Sequence, residues 1–305
     1  MTKYLISVVG PTAIGKTALG ISLAKHFYTE IISADSRQFF REMRIGTAVP
    51  NDSELKLVKH HFIQHRSIEE PYSVGDFERD ALALLERLFL EHDIVVMVGG
   101  SGLYLKAVLH GLDNFPEIDP GIREGLNERL KTEGLEPLQL ELKSLDPDTY
   151  GSIAIDNPHR VIRALEVCMG TGTPFSKFRT SESKSRPFES IHIGISADRE
   201  SIYDRINKRV DQMMADGLLE EAKSLIAYKH LNALNTVGYK ELFRYFESEF
   251  ELPEAISEIK KNTRRFAKRQ LTWFRKDESI QWFDYDTPHP EIIDHVRSQI
   301  KKPTF

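Results

Sequence analysis

The sequence predicts an α/β fold: a P-loop NTPase-like parallel sheet flanked by helices, with a mostly helical insertion. Three observations carry this. A short apolar strand runs straight into a glycine-rich turn and a helix over residues 4–27. Apolar strands then alternate with amphipathic helices, the pattern of a parallel sheet with helical crossovers. After about Leu112 the texture changes to short polar helices broken by proline and glycine.

Tyr4–Val9 is compact, apolar and β-branched, which suits a buried strand. Gly10-Pro11-Thr12-Ala13-Ile14-Gly15-Lys16-Thr17 follows and matches G-x-x-x-x-G-K-[ST] in full. Its glycines let successive N–H groups face an anion at the positive end of the next helix. Lys16 supplies a point charge for phosphate oxygens, and Thr17 a hydroxyl for Mg²⁺. That helix is expected over Ala18–Phe27, where Leu19, Leu23 and Phe27 recur every four residues. A second strand, Glu30–Ala34, ends at Asp35. Val74–Leu90 is amphipathic, with Ala81, Leu84, Leu85 and Leu88 on one face. The third strand, Asp93–Val98, stops at Gly99-Gly100. Residues 114–189 read as the helical insertion, leaving 1–113 and 190–305 as the core. Ile191–Ser196 returns the chain to the sheet, and two or three helices follow.

Composition narrows the class. The 305 residues are 40% hydrophobic and 29% charged, as in an ordinary globular protein. The N-terminal apolar run is too short for a signal-peptide core, and no run of about 18 apolar residues suggests a membrane span. Cys168 is the single cysteine, which excludes an internal disulfide and a multi-cysteine zinc site and fits a reducing cytoplasm. The net charge of −5 argues weakly against nucleic acid as a partner. Phosphate contacts are local, however, and residues 260–276 hold eight basic side chains and no acid before Asp277. Phe266, Trp273 and Phe274 are expected to pack one side of this stretch against the core, with its arginines facing phosphates.

The motif alone does not say which phosphate is held. P-loop NTPases usually place a magnesium-holding acid at the end of a neighbouring strand. Here 94–98 ends in Gly99-Gly100-Ser101-Gly102, and the acid comes instead in Asp35-Ser36-Arg37-Gln38. Asp35 fits equally a general base or magnesium partner and a helix N-cap. Adjacent His60 and His61 point opposite ways on a strand, so they read as structural or RNA-facing, not as metal ligands.

Taken together, these stretches resemble the tRNA dimethylallyltransferase (tRNA isopentenyltransferase) family. The resemblance runs from the P-loop through Asp35–Gln38, Ile45-Gly46-Thr47-Ala48, His60-His61, Tyr72–Phe77 and Gly99–Tyr104. It continues with Asn157–Glu166 and Val237–Glu241, and closes with Arg264–Phe274. Phe40, Ser101 and Val49 depart from it, standing where tyrosine, threonine and lysine are common. Ser101 keeps the hydroxyl, and Phe40 keeps the ring.

The resemblance implies that the P-loop, Gly10–Thr17, binds the diphosphate of dimethylallyl diphosphate, with Mg²⁺ on Thr17. Adenine N6 then attacks the allylic carbon, with Thr12, Lys16, Asp35 and Arg209 as the catalytic set. Asp35 would orient the amine and take its proton. Arg205, one turn before Arg209, would share its face. The acceptor implied is adenosine 37, beside the anticodon, in tRNAs reading codons that begin with U. Asp35, Ser36, Arg37, Gln38, Ser101 and Arg123 would meet the extruded base and its neighbours. His159, Arg160, Val161, Ile162 and Arg163 would meet the anticodon stem-loop. A monomer acting in the cytoplasm is expected. The rivals are a prenyltransferase for free adenine nucleotides, a P-loop kinase for a small metabolite and a non-catalytic RNA-binding protein. The insertion and the basic stretch disfavour the first of these, and an intact P-loop disfavours the last.

Overall fold

The computed structural model describes residues 2–179 and 184–300. The chain divides into two compact units, one of Met1–His110 with Ser185–Phe305 and the other of Gly111–Lys184. The larger unit opens with β1 (Tyr4–Val9), α1 (Lys16–His26), β2 (Ile31–Ser33), α2 (Asp52–Leu57), β3 (His60–His61), α3 (Val74–Glu91), β4 (Ile94–Val98) and α4 (Gly102–His110). The smaller unit holds α5 (Pro120–Glu133), α6 (Glu136–Leu145), α7 (Pro147–Ser152) and α8 (Pro158–Thr171). The larger unit resumes with β5 (Glu189–Ser196), α9 (Arg199–Ala215), α10 (Leu218–Ser224), α11 (Tyr239–Phe246), α12 (Leu252–Phe274), β6 (Gln281–Asp284) and α13 (His289–Gln299).

The sheet is parallel throughout, in the order β3-β2-β4-β1-β5-β6. β1 lies centrally, with Tyr4 opposite Ile94 on one side and Glu189 on the other. All six of its residues are buried, as expected for a parallel strand covered on both faces. Alternation sorts them: Tyr4, Ile6 and Val8 pack with Leu19, Leu23, Ile206 and Val296, whereas Leu5 and Val9 pack with Phe77, Leu85, Leu105 and Tyr239. Of the two edge strands, β6 escaped the sequence reading, and β3 entered it only as the strand setting of His60 and His61. β3 has two residues and β6 four, too few for period-two alternation to register.

The smaller unit has its own core of Leu126, Leu138, Leu142, Val161, Ile162, Ala164 and Leu165. Pro120, Pro147 and Pro158 sit in first helical turns, where no N–H is lost, behind the caps Asp119, Asp146 and Asn157. No helix among the described residues is long and apolar enough to cross a membrane.

Candidate active site

Because β1, β2 and β4 run parallel, their C-terminal ends open on one edge, where ligands of open α/β sheets bind. β1 delivers the P-loop, β2 delivers Asp35 and β4 delivers Gly99–Ser101. Gly10 has φ +147°, and a Cβ there would lie 2.4 Å from the Ile195 carbonyl, so only glycine lets the loop leave the sheet. α1 starts after Gly15 with no side-chain cap and no acid in its first turn, which leaves its leading N–H groups for an anion.

Two cavities, of about 570 and 790 Å³, meet at Thr12, Asp35, Thr47, Ala48, Arg209, Phe266 and Gln270. The first is the P-loop cavity. It is lined by Ala13–Thr17 together with Arg205, Lys208 and Arg209 of α9. Arg205 Nε donates to the Ala13 carbonyl at 2.8 Å and steadies the loop. Arg209 has neither hydrogen bond nor ion pair among the described residues, and burial lowers its pKa against the pull of Asp35 and Glu54. Lys16 Nζ donates to the Pro11 carbonyl at 2.7 Å. Burial pushes the Lys16 ammonium down to about 8; Asp35 opposes that shift and Arg209 adds to it. Concentrated, poorly neutralised positive charge in a recess is what a diphosphate needs.

Asp35 does not cap a helix. The chain turns at Ser36–Phe39, and Asp35 Oδ1 accepts from the Arg37 N–H at 3.1 Å. Oδ2 has no hydrogen bond among the described residues. Ser36 N–H donates to Ser101 Oγ at 3.0 Å, so the hydroxyl that replaces the commoner threonine is in use. Arg37 lines the second cavity while its Nη1 donates to the Asn232 and Ala233 carbonyls. Gln38 is committed to the protein: its amide accepts from Ser33 Oγ and donates to the Thr47 and Ala48 carbonyls. That leaves it as a support for the 45–48 loop, whereas it had been read as an RNA contact.

His60 and His61 diverge as the strand demands. His60 shares a hydrogen bond with the Val58 carbonyl and His61 one with Glu30, and no cluster of metal-ligating side chains occurs among the described residues. In the smaller unit, Val161 and Ile162 are buried in its core, so their side chains cannot meet RNA. Helical spacing turns them inward while His159 and Arg160 stay exposed on the first turn of α8. Arg123 and Arg163 both bind Glu166 Oε2, at 2.6 and 2.9 Å, and Arg163 also lies over the Phe115 ring.

The basic stretch forms the second half of α12 as far as Phe274, with Arg275 and Lys276 just past its end. Ala267, Gln270 and Phe274 face inward at helical spacing, but Phe266 and Trp273, seven apart, do not join them. Instead they are about 40% exposed and line the second cavity, against the expectation that both would pack in the core. Lys260 pairs with Asp211, and Arg264 donates to Asn207. Lys268, Arg275 and Lys276 are exposed and carry no ion pair among the described residues. Two supports went unseen in the sequence. Buried Gln270 accepts from the Thr12 N–H, and Glu221 accepts from the backbone of Arg44, Ile45 and Gly46 and from the Tyr239 hydroxyl. A polar residue on the inward stripe of α12 was the available signal for the first. Nothing local marks Glu221.

Comparison with known proteins points to one family. The family profile described as IPP transferase matches residues 38–277. The tRNA dimethylallyltransferase of Christiangramia forsetii is 60% identical, covering 98% of this chain and 99% of the relative. That of Flavobacterium johnsoniae is 56% identical over the same shares. These full-length matches include the P-loop and Asp35, which precede the profile. Among solved structures, the tRNA isopentenylpyrophosphate transferase of Bacillus halodurans superposes with a TM-score of 0.72 at 37% identity, covering 97% of this chain and 95% of that one.

Proposed function

The chain belongs to the IPP transferase family, and from that premise we propose that it moves a dimethylallyl group from dimethylallyl diphosphate to N6 of an adenosine in tRNA. The acceptor in this reading is adenosine 37 of tRNAs that read codons beginning with U. In this reading the protein acts in the cytoplasm, as a monomer. The observation that carries the reading is the position of Asp35 and Thr12. Both line the cationic P-loop cavity and the second, less polar cavity that would admit an extruded base.

The diphosphate would sit on the α1 N-terminus, with Lys16, Arg205 and Arg209 around it. As the allylic C–O bond breaks, negative charge gathers on the leaving diphosphate. The same cations and amides then stabilise the transition state more than the ground state. N6 forms the new C–N bond, and Asp35 accepts the proton that N6 loses. Thr12 lines this junction. For Mg²⁺, the Thr17 hydroxyl would be the protein ligand, with Asp35 lining the same cavity, which suits an ion bound mostly through substrate phosphates and water. When bound, such an ion would add charge stabilisation to the leaving diphosphate.

RNA would be held by His159, Arg160 and Arg163 of the smaller unit and by the exposed cations of α12. Arg123 is part of this reading through its tie to Glu166. The test is to incubate the protein with radiolabelled dimethylallyl diphosphate and, separately, unmodified tRNA, AMP and ATP. Label is expected in tRNA alone. Label in a free nucleotide, or γ-phosphate consumption from ATP without prenyl transfer, would overturn the reading.

A further inference from the structure

We propose that Gln270 is a positioning residue, joining the diphosphate cradle to the Asp35 turn as one rigid frame. The proposal rests on the functional reading above, and on a chain of hydrogen bonds that no motif announces. Gln270 is 6% exposed, the one buried polar side chain on α12. Its Oε1 accepts from the Thr12 N–H at 2.9 Å, and its Nε2 donates to the Gly100 carbonyl at 3.0 Å. The next residue, Ser101, accepts on Oγ from the Ser36 N–H at 3.0 Å and donates back to Ser36 Oγ at 3.2 Å. Ser36 is bonded directly to Asp35. A single amide therefore links the P-loop at the end of β1 to the loop after β4, and through it to the turn after β2.

Two details argue that the link is built in. A Cβ at Gly100 would lie 2.3 Å from Gln270 Nε2, so the close approach of the amide to this backbone requires glycine. The same Cβ would be 3.8 Å from Lys16 Nζ, which places the link beside the phosphate-binding ammonium. The Thr12 N–H is also consumed. It is committed to Gln270, not to the anion, and this ties the Thr12 backbone down where the two cavities meet. Parallel strands alone hold their C-terminal loops only by their stems. The transferred carbon is held from the P-loop, and the attacking amine from Asp35. A tether between these loops sets the distance over which the new bond forms, and misplacement by about 1 Å costs on the order of 100-fold in rate.

Gln270→Met keeps length and bulk but makes neither hydrogen bond. The expected result is a folded protein with tRNA and dimethylallyl diphosphate Kd values within about threefold of wild type. Its single-turnover prenylation rate should be about 10- to 100-fold lower. Because Gln270 acts through Asp35, the double variant Asp35→Asn/Gln270→Met should be no more than about twofold slower than Asp35→Asn alone. If Gln270→Met does not fold, Gln270→Glu serves in its place, since it can still accept from Thr12 but cannot donate to Gly100. A wild-type single-turnover rate in the folded variant would overturn the proposal, as would rate losses that multiply in the double variant. A wild-type protein that leaves tRNA unlabelled is a separate outcome: it sinks the functional reading itself, whereas a fast Gln270 variant beside an active wild type sinks only the tether.

Discussion

Lys16 offers a quantitative test of the diphosphate cradle, through the pH dependence of donor binding. In the free protein, burial lowers its ammonium to about 8, while Asp35 pulls the other way. A bound diphosphate would supply the missing counter-charge and return Lys16 toward its ordinary value near 10.4. The charged form then binds and the neutral form does not. At pH 7 about nine-tenths of the free protein carries the proton; at pH 9 only about one-tenth does. The dissociation constant for dimethylallyl diphosphate should therefore rise about tenfold between pH 7 and pH 9, about 1.4 kcal/mol. Phosphate ionisation near pH 6 lies below this window. Calorimetric titration at half-unit steps would trace the curve, with Lys16→Met as the control. The variant should bind weakly throughout and lack the slope. A flat wild-type profile, or the same slope in Lys16→Met, would refute both the depressed ammonium and its contact with the diphosphate.

Asp35→Asn should lower single-turnover prenylation by about two orders of magnitude or more while leaving donor and tRNA binding near wild type, because the amide cannot take the N6 proton. Equal losses in stability and rate would mark a merely structural residue. Charge removal at Arg160, Lys268, Arg275 and Lys276 should flatten the salt dependence of tRNA binding by up to about four units of log–log slope, with donor affinity unchanged; an unaltered slope would make them a solvated face. His65 tests the fold. Burial and then Arg66 depress its pKa to about 4, and neither ring nitrogen has a hydrogen-bond partner among the described residues, so the fold holds the ring neutral. The unfolded chain takes up that proton near pH 6.5, so stability is full above 6.5 and falls as pH drops toward 4. Discounted for its partial exposure, the loss is about 1–2 kcal/mol. His65→Phe should remove that part of the acid slope in denaturant titrations at pH 7, 6, 5 and 4; an identical slope would exclude His65 as its source.

How much of this was legible depended on whether the cause was local. β1, the P-loop and α1 follow from contiguous residues, because a strand's apolar run, a glycine turn and a helix periodicity are each set within about ten positions. α3 was read to within a residue, since eighteen positions average over many sites. β6 was missed, and β3 entered only through its two histidines, because strands of four and two residues exist only through pairing with β5 and β2. Asp35 marks the divide most clearly. Sequence placed it after a strand and could not choose between a helix cap and a catalytic carboxylate. The fold removed the helix cap, since the chain turns there and no helix follows. For Gln38, Val161 and Ile162 the RNA role read from sequence meets other surroundings in the fold: one amide engaged by Ser33 and the 45–48 loop, two side chains in a core. Phe266 and Trp273 went the other way, from expected core to cavity wall. The sequence by itself determined the sheet-and-helix class, the phosphate-binding turn and the family resemblance, all written in short spans or ordered motifs. Only the tertiary structure brought residues 12, 35, 100, 209 and 270 to one edge of the sheet. Contacts between positions so far apart leave no periodicity or spacing in the chain, because they are decided by which strands lie side by side.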